Sequence, residues 1–210
     1  MKMRRVSFFA MLALTAAVIA LTVVACGSTP ATSGPPDIGG RVADGDTRYP
    51  VRKFMVQISW WDNNLNPPPL LYPGKGVAAT KFDADFHIKS ISMMMPTIHE
   101  NQVNSAVFRL YKWNNSYNAT VNSDPIVVVT KRNITNNEIV VFEINEGVAP
   151  PGTYLWTVSE ATSRNPDACV AVWTAIPAPD LVVAENTVFF YNGIETDEFL
   201  FKSIINGIRE

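Results

Sequence analysis

Residues 107–113 read VFRLYKW and residues 152–159 read GTYLWTVS. Each alternates with a period of two. Phe108 and Leu110 fall on one side of the first stretch and Arg109, Tyr111 and Trp113 on the other, while Tyr154, Trp156 and Val158 oppose Leu155 and Thr157 in the second. Successive strand side chains point to opposite faces, so this pattern predicts β-strands with one face buried. Similar short runs rich in Val, Ile, Phe, Tyr and Trp recur outward from these two, at 53–60, 82–93, 106–113, 126–131, 138–144, 152–160, 169–174, 187–191 and 198–205. No amphipathic pattern of three helical turns interrupts them. About nine strands with turn signals between them predict an all-β chain folded as a jelly-roll type antiparallel β-sandwich.

The turns carry their own mechanism. Asn63-Asn64, Pro73-Gly74, Asn114-Asn115, Asn136-Asn137, Pro151-Gly152 and Asn192-Gly193 supply preset or positive φ angles and stop the strands. The stretch 62–76, DNNLNPPPLLYPGKG, is the longest irregular segment and a candidate functional loop. In 169–175, CVAVWTA, burying Val170 and Val172 turns Trp173 outward, and Cys169 reads as a small buried hydrophobe. For Tyr154 and Trp156 the pattern leaves core and surface both open. Trp60 and Trp61 point oppositely, placing one of them at the mouth of the long loop, and Met93 to Met95 read as gap-filling at a strand end.

The N-terminus has a different character. Lys2, Arg4 and Arg5 precede an uncharged apolar run ending in Val23-Val24-Ala25-Cys26, the charged, apolar, small-residue order of a secretory signal. Its last four residues resemble the lipobox of bacterial lipoproteins, which implies cleavage before Cys26 and its lipidation. Gly27 in place of aspartate implies, by the same resemblance, no retention at an inner membrane. Residues 27–46, GSTPATSGPPDIGGRVADGD, lack apolar bulk and predict a flexible tether. The expected organisation is therefore a signal peptide at 1–25, a lipidated cysteine and linker at 26–46, and the β-domain at 47–210. Without the signal's three basic residues, 14 Lys and Arg face 19 Asp and Glu, a net charge of −5. Nucleic acid is an unsuitable partner, since binding it needs clustered cations.

The chain offers little catalytic material. It contains no G-x-S-x-G elbow, no glycine-rich phosphate loop and no carboxylate pair in a context that suggests glycan hydrolysis. His87 has only Asp83 and Asp85 near it in sequence, on what alternation makes a solvated strand face opposite Phe82, Phe86 and Ile88, so no metal is expected there. The expectation is a non-enzyme. The candidate ligand-binding residues are Arg109, Tyr111 and Trp113, joined by Trp173, because sugar C–H patches stack on aromatic rings and hydroxyls bond to a guanidinium. The alternative for Tyr111 and Trp113 is that they cover a second sandwich layer or pack under a loop.

The stretches 108–121 (FRLYKWNNSYNATV), 151–160 (PGTYLWTVSE), 170–173 (VAVW) and 189–195 (FFYNGIE) resemble galactose-binding-like, carbohydrate-binding-module domains of bacterial surface proteins, over roughly 82–207. The resemblance implies a non-catalytic glycan-binding domain displayed outside the cell, with a structural calcium ion as a frequent companion. The expected partner is an extracellular glycan, the alternative an envelope protein docked on the aromatic face, and the membrane enters only through the lipid anchor. If Cys26 is the lipid acceptor, Cys26→Ser abolishes incorporation of a tagged fatty acid; unchanged labelling would overturn the lipoprotein reading.

Overall fold

A computed structural model describes residues 49–57, 65–66, 68–72, 75–98, 105–160, 169–176 and 178–209. The proposed signal, Cys26, the tether, Trp60, Trp61 and His99 lie outside the described residues. Ten strands form the two main sheets: β1 (Tyr49–Phe54), β2 (Val77–Ala84), β3 (His87–Met95), β4 (Ser105–Lys112), β5 (Val127–Arg132), β6 (Glu138–Glu143), β7 (Gly152–Glu160), β8 (Val188–Tyr191), β9 (Ile194–Thr196) and β10 (Ile204–Arg209). One short helix, α1 (Tyr117–Val121), lies between β4 and β5. Among the described residues no helix is long and apolar enough to cross a membrane.

The four-stranded sheet has the order β1-β10-β3-β6 and the six-stranded sheet β9-β8-β2-β7-β4-β5, antiparallel throughout. Four of the pairings are nested: β1 with β10, β2 with β7, β3 with β6 and β4 with β5. The first and third pairs fall in one sheet, the second and fourth in the other. This is the topology of an antiparallel ribbon rolled upon itself, the jelly roll, with the β8–β9 hairpin added outside β2. Short pairings of Val56–Gln57 with Val182–Val183, Leu65–Asn66 with Thr174–Ala175, and Thr97–Ile98 with Cys169–Val170 accompany the sheets.

The core fills the space between the sheets. Phe108 of β4 stacks on Phe142 of β6 with ring centroids 4.5 Å apart, and Trp156 of β7 meets Phe201 edge-on at 6.2 Å. Tyr154 and Trp156, undecided from the pattern, are both fully enclosed, as are Leu110, Cys169, Val170 and Val172. Burying Trp156 and Tyr154 removes large apolar areas from water, and Leu155 and Thr157 on the opposite face of β7 are buried as well.

Several element boundaries differ from expectation, beginning with 53–60, where β1 runs over Tyr49–Phe54 and Val56–Gln57 pairs separately. Stretch 82–93 is two strands in different sheets: the chain bends at Asp85-Phe86 and crosses from β2 to β3. Alternation alone cannot reveal such a crossing, because Phe82, Phe86 and Ile88 stay in phase on both sides of it. Stretch 169–174 is paired only at Cys169–Val170, with Thr174–Ala175 paired separately. The last strand is Ile204–Arg209, sharing only residues 204 and 205 with the expected 198–205. β9 and α1 were not expected.

The register of β3 against β10 slips by one residue: Asn206 pairs with Ser90 but Gly207 with Ile88, leaving Lys89 over. Such a bulge resets which side chains face inward, so Ile88 joins Ile91, Met93 and Met95 in the core. Gly207 lies so close to the crossing that a Cβ there would stand 2.3 Å from both the His87 carbonyl oxygen and Phe86 Cδ2. Gly207→Ala should therefore lower stability by about 1–3 kcal/mol or more through overpacking, measured by denaturant unfolding; an unchanged midpoint would show that the bulge yields freely.

Candidate ligand-binding site

The outer face of the six-stranded sheet holds Arg109, Tyr111 and Trp113 of β4 and its end, Leu155 and Thr157 of β7, Ala79, Lys81 and Asp83 of β2, and Val188 and Phe190 of β8. It is not an open platform. Residues 114–126 fold back over it, carrying α1. Ser116 caps that helix by accepting from the Ala119 amide at 3.2 Å, and Thr120 Oγ1 accepts from the Asn114 amide at 2.9 Å. Asn115 supplies the positive φ, 58°, that starts the turn.

Beneath this cover Ala79, Tyr111, Leu155 and Phe190 form a second small core, flanked by Trp113, Tyr117, Val121 and Val188. The Tyr117 ring sits 5.1 Å from Phe190 and approaches the Asn192-Gly193 turn so closely that a Cβ on Gly193 would lie 2.9 Å from its Cε1. Burial raises the Tyr117 hydroxyl pKa, with Tyr111 adding to the shift. Tyr111 is 6% exposed, the packed second layer of the alternative reading. Arg109 is half-buried on the far side of it, opposite Thr157.

Trp173 belongs elsewhere. Its amide donates to the Met94 carbonyl at 3.2 Å in the four-stranded sheet, and its Nε1 donates to Asn137 Oδ1 at 2.7 Å. The fold thus separates Trp173 from Arg109, Tyr111 and Trp113, and covers the middle of the remaining trio. Only Trp113, half-buried at the margin of α1, stands beside further polar groups.

Those groups form a row across the strand ends. The Trp113 amide donates to the Thr153 carbonyl at 3.0 Å, and Thr153 faces Asp83. Thr153 Oγ1 donates to Asp83 Oδ1 at 2.6 Å and Asn186 Nδ2 donates to Asp83 Oδ2 at 2.8 Å. Lys53 Nζ donates to the Asp83 backbone carbonyl at 2.7 Å, while Lys81 holds its ammonium 5.3 Å from the Trp113 ring centroid. Asp83 and Asn186 also form one wall of a cleft of about 420 Å³, whose other walls include Lys53, Asp85, Glu185 and Arg209. Arg209 pairs with Asp85 at its mouth.

The Thr153 hydroxyl, followed by Asn186, Lys81 and Lys53, holds the Asp83 carboxyl below its usual range against the opposing effect of partial burial. The carboxylate is therefore ionised and oriented, each oxygen keeping a lone pair for a further donor. Asp83 and Asp85 do not share a site with His87, which lies past the crossing in the other sheet, and no group of His, Cys, Asp and Glu suited to a metal ion occurs among the described residues.

Sequence reading missed Lys81, Thr153 and Asn186 as site residues and treated Asp83 as merely solvated. The alternation of 77–84 does carry a signal, since it places Ala79, Lys81 and Asp83 on one face, but only strand pairing brings that face beside Trp113. No protein-family model matches the chain, and no curated protein matches it.

A carboxyl whose pKa falls on folding stabilises the fold above its unfolded value and loses that contribution as pH drops through the lowered one. Stability should therefore decline as pH falls below the ordinary value of 3.8. Asp83→Asn should melt lower at neutral pH and show a shallower loss on acidification, read from melting temperatures between pH 2 and 7; parallel profiles for the two proteins would remove Asp83 from this role.

Proposed function

We propose that this protein is a non-catalytic, lipid-anchored extracytoplasmic domain that binds an extracellular saccharide at the end of the sandwich marked by Trp113 and Asp83. The observation that carries the reading is a half-buried tryptophan joined through Thr153 to a carboxylate that Thr153 and Asn186 fix on the wall of a cleft lined also by Lys53 and Arg209. A pyranose offers a flat C–H patch to an aromatic ring and adjacent hydroxyls to charged acceptors and donors, and such oriented polar groups around a concavity confer specificity. Asp83 accepts hydroxyl protons; Asn186, Lys53 and Lys81 are donors around it. Arg109 keeps a supporting place on the same outer face, whereas Tyr111 serves as packing beneath α1.

The secretory character of 1–25 and the lipobox-like residues ending in Cys26 support the anchor, and the tether of 27–46 provides reach from the membrane. A glycan array probed with the full chain in detergent tests the reading. Trp113→Ala should weaken the best glycan by about fivefold to tenfold, the equivalent of roughly 1–1.4 kcal/mol of stacking, while its loss of packing on Phe190 lowers the melting temperature less than Leu110→Ala does. Leu110→Ala, wholly enclosed in the main core, should instead lower stability by about 2–5 kcal/mol. No glycan bound by the wild type, or affinity indifferent to Trp113, would overturn the proposal.

A further inference from the structure

The two sheets end together along one side of the sandwich, at β5 in the six-stranded sheet and β6 in the four-stranded sheet. These strands are consecutive in the chain, joined by residues 133–137, and the Phe108–Phe142 stack lies just inside them. Neither carries a proline or a bulge: their sequences are VVVTKR and EIVVFE. Val128 is 55% and Ile139 60% exposed. Among the described residues neither has a partner on its outer edge, and unpaired strands of this kind are templates for another strand unless something blunts them. The opposite side is managed differently. β9 is only three residues long, and next to β1 the chain pairs at Val56–Gln57 with Val182–Val183.

We propose that this side pairs with a second copy of the chain in a closed twofold dimer, β5 of each copy joining β6 of the other. A twofold axis parallel to the strands, placed at this side, exchanges the two sheets while keeping strand direction. β5 and β6 run in opposite directions, so β5 meets its partner's β6 antiparallel, and both sheets continue into the other copy. The contact is isologous and leaves no edge on this side.

The side chains select one register. Placing Lys131 opposite Glu138 puts Val129 opposite Val140, Val128 opposite Val141 and Thr130 opposite Ile139, with all outward residues on one surface and all inward residues on the other. Val128 and Val129 then face Val141 and Val140, and the basic end of β5 meets the acidic start of β6 twice across the axis. Pairing β6 with itself would instead set Glu138 opposite Glu143. Glu138 Oε2 accepts from the Thr135 amide and hydroxyl within its own chain, which leaves Oε1 for Lys131 of the second copy. A second copy is the occupant favoured because one strand complements the other in both charge and apolar pattern.

Sedimentation of the full chain in detergent should give two polypeptides per particle at tens of micromolar. Lys131→Glu should weaken the dimer about tenfold by placing like charges opposite each other at two symmetric points, and adding Glu138→Lys should restore it, with melting curves confirming that each variant folds. Mixing Thr130→Cys protein with Ile139→Cys protein should yield a disulfide between the two above the wild-type background, and neither variant should do so alone. Within one chain these residues lie on outward faces of different sheets, so the bond reports pairing between copies. A single polypeptide per particle, larger assemblies, no mixed disulfide, or a Glu138→Lys change that fails to restore association would each overturn the proposal.

Discussion

The close approach of Gly207 to Phe86 and His87 is the constraint on which the sandwich depends. The chain leaves the six-stranded sheet at Ala84 and enters the four-stranded sheet at His87, and within those few residues Phe86 turns into the core against the backbone of β10. A residue without a Cβ is what lets β10 lie there. The slip that leaves Lys89 unpaired then brings Ile88 into line with Ile91, Met93 and Met95. Without that reset, one end of β3 would present its apolar residues to solvent, and the nested pairing of β1 with β10 and β3 with β6 would lose its common core.

The same crossing builds the candidate site. Because β2 ends where β3 begins, Asp83 remains on the outer face of one sheet while Asp85 turns toward Arg209 at the end of the other. Asn186, at a positive φ of 56°, brings its amide to Asp83 from more than a hundred residues away. The cleft between these groups combines charged side chains with Val51 and Phe86. Trp113 follows the end of β4, where its ring stacks on Phe190 at 6.2 Å and its amide donates to the Thr153 carbonyl.

That cover separates two kinds of aromatic residue. Tyr111, Tyr117 and Phe190 make a compact layer on the outside of the sheet, burying area that a bare outer face would expose. A tyrosine in such a layer contributes to stability rather than to recognition. Trp113 has the same alternation phase as Tyr111 and stacks on Phe190 at the edge of this layer, where it stays half-buried.

The sequence by itself determined the class of structure, since the period-two runs at 107–113 and 152–159 fit strands with one buried face and the Asn- and Gly-bearing turns fall where the strands stop. Asn115, Asn137, Asn192 and Gly193 all adopt positive φ, the local preference their residue types express without help from the fold. It also determined that Phe108, Leu110, Val170 and Val172 are core, because apolar burial and alternation agree there. Only the tertiary structure decided that 82–93 spans two sheets, that Trp156 and Leu155 on opposite faces of β7 are both buried, and that Trp173 lies apart from Arg109. The physical reason is that alternation is a property of one strand, whereas sheet membership, bulges and the cover over a face depend on which distant strands pair. Asp83 shows the difference plainly: its residue type and face could be read from its neighbours, but its hydrogen bonds to Thr153 and Asn186 exist only because β2 pairs with β7 and the chain returns past it at residue 186.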